Sequence, residues 1–351
     1  IDGEPFGRGG HLVAERGIRG PKVLLIGHLD TVFAVDSSFQ RFERIDEHLA
    51  AGPGVTDMKG GNVIILQAAR ALSAAGVGHD VQLRVILTGD EESRGEPLEV
   101  ANGALLDAGR WADYAIGFED GDSDPRTAVT ARRSSSRWLL RVQGKPAHSS
   151  QIFREDIGFG AALELSRILD EWRETLSAIP NLTFNPGLVM AGTDVDSDAE
   201  GTRGTVFGKG NVIARSAMAS GGLRAISPEQ IAEAERLMRE IAADSLAQTS
   251  ATLEFEHGYP PMAPAAGNDR LLAMYSAISE ELGYGPVTAV DPRRAGAADI
   301  SFVAGLVDAA IDGLGLMGDG GHPVDEVADL RTLSQQTKRA ALLLYRLAQG
   351  R

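Results

Sequence analysis

Three short apolar runs, each bounded by glycine or acidic residues, constrain this chain most: Lys22 to Gly27 (KVLLIG), Val81 to Thr88 (VQLRVILT) and Asp113 to Phe118 (DYAIGF). Apolar runs of this length with turn residues at both ends read as short buried strands. Between the first two lies the alanine-rich segment Asn62 to Ala75, which reads as a helix. Strand, helix, strand alternation implies a largely parallel sheet, because parallel neighbours need a crossover connection. Ligands of such sheets gather beyond the carboxyl ends of the strands, so the residues after each run matter most.

At 351 residues the chain exceeds the roughly 250 to 300 residues that one core fills, and two domains are expected. The character changes after Thr127. There follow a strand-like Trp138 to Val142, a helix from about Gly158 to Leu176, a glycine-rich stretch from Pro186 to Gly210 and a strand near Asn211 to Ile213. Ser227-Pro228-Glu229-Gln230 is a capping-box pattern with proline at the first helical position. Ile231, Ala234, Met238 and Ile241 give the helix it opens one apolar face. After strand-like Thr252 to Glu256, the cluster Pro260, Pro261 and Pro264 reads as a return linker, and helices near Asn268 to Leu282 and Asp329 to Leu347 rejoin the first module. The expected organisation is a discontinuous domain of residues 1–127 and 262–351, interrupted by a smaller α/β domain at 128–261.

A net charge of -15 would repel a phosphate backbone, so no nucleic-acid partner is expected. The absence of cysteine excludes disulfides and thiolate zinc sites; any metal must be held by histidines and carboxylates. No apolar run approaches the roughly 20 residues that span a bilayer, and no membrane segment is expected. The chain opens at Ile1 and runs quickly into strand-like sequence, so a leader or first helix is expected to be missing from it. Its compartment, periplasmic or cytoplasmic, is left open.

Five segments combine histidine, carboxylates and glycine, most of them at strand ends. In Gly27-His28-Leu29-Asp30 a histidine could meet a metal while the aspartate holds the other ring nitrogen; alone, such a pattern is more often a turn with a hydrogen-bonded histidine. Gly52 to Gly61 (GPGVTDMKGG) leads into the helix, with Asp57 as a turn residue, an N-cap or a ligand. In Thr88 to Ser93 (TGDEES) three adjacent carboxylates repel one another unless a cation or solvent relieves them. Gly117 to Gly121 contains Glu119 and Asp120, and Gly320 to Glu326 (GGHPVDE) contains His322. Strand ends of one parallel sheet converge in space, and two histidines with three carboxylates suit a zinc pair.

Taken in order, GHLDTV, GPGVTDMKGG, TGDEES, GFED, GKPAHSS and GGHPVDE resemble the motif set of the M20 metallopeptidases, over about residues 20 to 330. The resemblance implies a mostly parallel-sheet zinc-peptidase catalytic domain interrupted by a smaller ferredoxin-like dimerisation domain. It implies two zinc ions per subunit, one on His28 and Glu119, the other on Glu92 and His322, with Asp57 bridging. Glu91 is then the general base, and Asp30 orients His28. His148 would reach the partner subunit's site in a homodimer and stabilise an oxyanion. Arg224 and Asn211 fall where the family binds a substrate carboxylate, for which an arginine fork is well shaped. Departures occur at Asp120, where a proline is usual, at Ala297-Ala298-Asp299, and around Asn211 and Arg224. The implied activity is carboxypeptidase-like hydrolysis of a small peptide or N-acyl amino acid, with C-terminal glutamate among the candidates. An aminoacylase or dipeptidase is the alternative within that chemistry, and a catalytically inactive metal-binding scaffold the alternative outside it.

Overall fold

The computed structural model describes residue 3 and residues 7–350, without the side chain of residue 99. The chain forms two compact units, Ile1–Arg132 with Met262–Arg351, and Arg133–Pro261. The larger unit extends beyond Thr127 because the next residues still pair within it. Thr127–Ala128 runs parallel to Thr288–Ala289, while Val129 bridges Asp312 and Arg132 bridges Met262.

In the larger unit the five-stranded sheet has the order Leu12–Arg16, Gln82–Thr88, Lys22–His28, Tyr114–Gly117, Ala309–Ile311. The first strand is an antiparallel edge and the other four are parallel. Alternation explains the apolar runs. Val23 and Leu25 face one core with Ile64, Ala68 and Leu72 of the Gly60–Ala74 helix and Leu343 of the Leu330–Ala348 helix. Leu24 and Ile26 face a second core with Leu105, Ile300 and Val303. Full burial of each such side chain contributes about 1.5–3 kcal/mol, and a strand so covered on both faces has no polar side to expose.

In the smaller unit the four strands of the main sheet and the two long helices follow one another as strand, helix, strand, strand, helix, strand, the order expected of a ferredoxin-like domain. Its sheet is antiparallel throughout, in the order Thr249–His257, Ser136–Gly144, Ser216–Arg224, Thr183–Gly192. Helices Gly160–Leu176 and Pro228–Ala243 cover it around Trp138 and Trp172, packed edge to face at 5.2 Å. Half of the capping box forms as the sequence implies, Ser227 accepting from the Gln230 N–H at 3.2 Å, while Gln230 Oε1 accepts from the Ile226 N–H at 2.9 Å, one residue before the N-cap.

Two expectations need correction here. The strand placed near Asn211 to Ile213 is only a bridge between Val212 and His148; the strand itself is Ser216–Arg224. Its composition, SAMASGGLR, has little strand propensity. Close packing requires it: a Cβ on Gly221 would lie 1.7 Å from the Asn185 carbonyl oxygen and 3.0 Å from the Trp138 ring. The stretch from Pro186 to Gly210 also contains strand, namely most of Thr183–Gly192 and the hairpin of Asp194–Ser197 with Gly204–Phe207.

Candidate metal centre

Parallel register places three of the segments at one sheet edge. His28 ends its strand opposite Thr88, and Ile26 lies opposite Gly117, so the chain leaves for 89–92 and 118–120 beside His28. The Asp57 and His322 loops arrive together because Leu49–Ala51 pairs antiparallel with Val327–Asp329. Gly54 has φ 73°, and a Cβ there would meet the Thr31 methyl at 2.6 Å. Gly61 lets the helix start against the neighbouring strand end, where a Cβ would be 2.0 Å from the Phe118 carbonyl oxygen. The glycines of GPGVTDMKGG thus allow both the turn and the close approach.

Five side chains meet at this edge. One donor atom each from His28, Asp57 and Glu119 lie within 4.8 Å of one another, as do donors from Asp57, Glu92 and His322. Asp57 belongs to both groups. Its Oδ1 is 3.0 Å from His28 Nε2, and its Oδ2 is 3.3 Å from His322 Nε2. Glu119 Oε1 is 3.6 Å from His28 Nε2, and Glu92 Oε2 is 3.8 Å from His322 Nε2. Tetrahedral ligands with zinc bonds of about 2.0–2.1 Å stand roughly 3.3–3.4 Å apart, so the donor spacing fits such an ion.

The ring of His28 fits as well. Its Nδ1 lies 3.0 Å from the Asp30 carbonyl oxygen and 3.4 Å from Asp30 Oδ1, so Nδ1 is the protonated nitrogen of the neutral ring. The Nε2 lone pair then faces two carboxylate oxygens, an arrangement that needs a proton or a cation between them. Burial alone would lower the His28 pKa, but Glu119, Asp30 and Asp57 push it up to about 12. Burial and the nearby charge of Asp57 push Glu92 up to about 8, and the same causes raise Glu119. Burial likewise raises Glu91, against the pull of His28 and Arg94. Carboxyl groups this close resist ionising together, and a divalent cation offsets that repulsion. Glu92 Oε1 is buried without a hydrogen-bond partner, a further acceptor available to an ion.

Side chains around this cluster hold it in place. The Asp30 carboxylate does more than face His28: it accepts from the N–H groups of Glu91 at 3.2 Å and Glu92 at 2.9 Å, tying two ligand segments together. Asp90 turns away from its neighbours onto Arg94 at 3.0 Å, and Arg94 also pairs with the buried Asp299, which accepts from Thr88 Oγ1 at 2.6 Å. Asp312 pairs with buried Arg132 at 2.9 Å. Sequence reasoning passed over these ion pairs, and it also missed two neighbours of the centre. Asp57 and Asp120 both border Gly321, where a Cβ would lie 3.7 Å from Asp57 Oδ2 and 3.9 Å from Asp120 Oδ2. Burial and the Asp57 charge push Asp120 up to about 7. His11, which fits no motif, accepts from the Gly89 N–H at 3.2 Å at the start of the acidic turn.

The remaining candidates lie in the smaller unit. His148 is exposed, and its Nδ1 accepts from the Ser150 N–H at 3.3 Å with the Ser150 hydroxyl at 2.9 Å. A neutral ring therefore carries its proton on Nε2. Asn211 is next to it, its carbonyl oxygen accepting from the Ser149 N–H at 2.9 Å. Arg224 is exposed at the far end of Ser216–Arg224, a nine-residue strand. That strand spans roughly 30 Å, and Asn211 lies before its first residue whereas Arg224 is its last.

The sequence pattern described as Peptidase family M20/M25/M40 matches residues 24–346. The chain is 24% identical over 338 residues to carboxypeptidase G2 of Pseudomonas sp. (strain RS-16), covering 96% of this chain and 76% of that one. The crystal structure of aminopeptidase PepT from Bacillus cereus superposes with a TM-score of 0.74 at 19% identity, over 99% of this chain and 88% of that one. The Bacillus subtilis YXEP protein, described as a dinuclear metal binding peptidase from the M20 family, gives 0.64 at 16% identity, over 96% and 85%. At these identities the structural likenesses establish the fold alone.

Proposed function

Since the chain belongs to peptidase family M20/M25/M40 and is a metal-dependent peptidase or amidohydrolase, we propose that it is a two-zinc hydrolase cleaving an amide bond beside a free carboxylate. The substrate is an N-acyl or peptidyl amino acid. The observation that carries this reading is the two-sided use of Asp57, one oxygen toward His28 and the other toward His322. His28 and Glu119 would hold one ion, Glu92 and His322 the other, with Asp57 shared. Imidazole and carboxylate donors without thiolate suit zinc. Ions so held would polarise the scissile carbonyl and make water acidic enough to lose a proton near neutral pH.

Glu91 belongs to neither donor group, although it adjoins Glu92. Its carboxylate takes the proton of the attacking water and passes it to the nitrogen of the departing amine. His148 Nε2–H donates to the developing oxyanion. Its place in the smaller unit fits delivery from a partner subunit. Mixing His148→Ala with Glu91→Gln chains, each inactive alone, is then expected to restore activity, because one site of each mixed dimer has both residues. Subunit exchange without recovered activity would refute delivery across the dimer.

Arg224, an exposed guanidinium with no ion pair among the described residues, supports recognition of the substrate carboxylate. A charge-assisted contact of this kind is worth about 1.5–3 kcal/mol, or roughly ten- to a hundredfold in kcat/KM. A screen of N-acyl amino acids and dipeptides against the corresponding carboxamides tests the class. The acids are expected to be favoured by that factor, and Arg224→Ala should barely distinguish acid from amide. Equal turnover of both by the parent enzyme would remove the carboxylate from the reading, and no turnover of any substrate would favour a scaffold.

A further inference from the structure

We propose that Glu326 is the positioning residue of the bridging carboxylate and that, through it, the two metal positions fill as a coupled pair. The inference rests on the two-ion reading above. Glu326 is fully buried, at 0% exposure, and takes no part in either donor group. Its carboxylate accepts four hydrogen bonds, all from the loop that ends in Asp57. Oε2 takes the Gly54 N–H at 2.6 Å; Oε1 takes the Thr56 N–H at 2.8 Å, the Thr56 hydroxyl at 2.9 Å and the Asp57 N–H at 3.2 Å. No ion pair to Glu326 occurs among the described residues, so neutral donors alone hold a buried carboxylate, an expensive arrangement unless every acceptor site is used.

Its position in the chain gives that arrangement a purpose. Glu326 follows His322 by four residues and immediately precedes the Val327–Asp329 strand, which pairs with Leu49–Ala51. Its own carbonyl oxygen accepts from the Gly52 N–H at 3.4 Å. One residue therefore fastens the His322 loop to the loop of Asp57, across 269 positions of sequence. Gly54 has a positive φ, Asp57 itself departs from helical geometry, and the Lys59 N–H bond to the Gly54 carbonyl oxygen at 2.7 Å closes the loop around it. The Glu326 carboxylate holds the Asp57 N–H directly. An ion that orders Asp57 on the His28 side thereby also orders the His322 side, which is positive coupling between the positions.

Carboxylate chemistry is specifically required. In Glu326→Gln an amide NH2 must face either the Gly54 N–H, losing that one bond, or the Thr56 and Asp57 donors, losing up to three, with little change in volume. Thr56→Val is milder, removing only the hydroxyl bond of a side chain that is itself fully buried.

The experiment is a titration of metal-free parent, Glu326→Gln and Thr56→Val proteins with zinc alone, against a competing chelator, with thermal melts of the metal-free forms. The parent is expected to take up two ions in one cooperative transition. Glu326→Gln should bind at least tenfold more weakly, with the two steps separated. Thr56→Val should shift the same way by less. Titration of Glu326→Gln that matches the parent overturns the proposal. So does loss of the cooperative melt in Glu326→Gln combined with an unaltered Thr56→Val titration, since Glu326 would then serve stability alone. A parent that takes up fewer than two ions contradicts the two-ion reading instead.

Discussion

Glu91→Gln is expected to lower kcat by about 10²- to 10⁴-fold while the protein keeps its full complement of two metal ions. The amide has nearly the shape of the acid but cannot accept the water's proton, so the loss falls on the proton-transfer step. In barrier terms it is about 2.7–5.5 kcal/mol. The surrounding structure should be unaffected. The turn is fixed through main-chain N–H groups that donate to Asp30 at 3.2 and 2.9 Å, and the neighbouring candidate ligand Glu92 is untouched. Steady-state kinetics on an N-acyl amino acid with elemental analysis of the same preparation checks both halves. An inactive variant that has also lost metal would make Glu91 a ligand rather than a base.

Asp57→Ala should act oppositely, removing both ions and all turnover together. A single carboxylate supplies one oxygen to each donor group, at 3.0 Å from His28 Nε2 and 3.3 Å from His322 Nε2, so neither group keeps three donors without it. Glu119→Ala, by contrast, damages only the His28 position. Thermal denaturation gives an independent readout. Ligand binding stabilises by about 2.7 kcal/mol when free metal is a hundred times its dissociation constant, so chelator should lower the parent's melting temperature and leave that of Asp57→Ala unchanged. Two ions bound to Asp57→Ala would refute the bridge.

The parallel sheet was legible because its central strand is covered on both faces, which writes an unbroken apolar run into the sequence: KVLLIG has Val23 and Leu25 in one core and Leu24 and Ile26 in the other. Ser216–Arg224 escaped notice for the converse reason. It is an inner strand whose small residues are dictated by the Asn185 backbone and Trp138, contacts that no local pattern records. At the site, the candidate ligands stand out because strand ends are local signals and parallel register aligns them. What holds the ligands was hidden by sequence distance. Asp90 read as one of three repelling carboxylates until Arg94, four residues on and itself paired with Asp299 205 positions further along the chain, proved to be its setting. Glu326 had no visible signal beyond being a carboxylate four residues after a histidine, because its donors are main-chain groups elsewhere in the chain.

The most direct test of the central claim is to titrate metal-free protein with zinc while following release of free amine from an N-acyl amino acid. Turnover should be absent without metal, rise with added zinc and level off at two ions per chain. Undiminished turnover in excess chelator, or a protein that binds two zinc ions and releases no amine from any N-acyl or peptidyl amino acid, would contradict it.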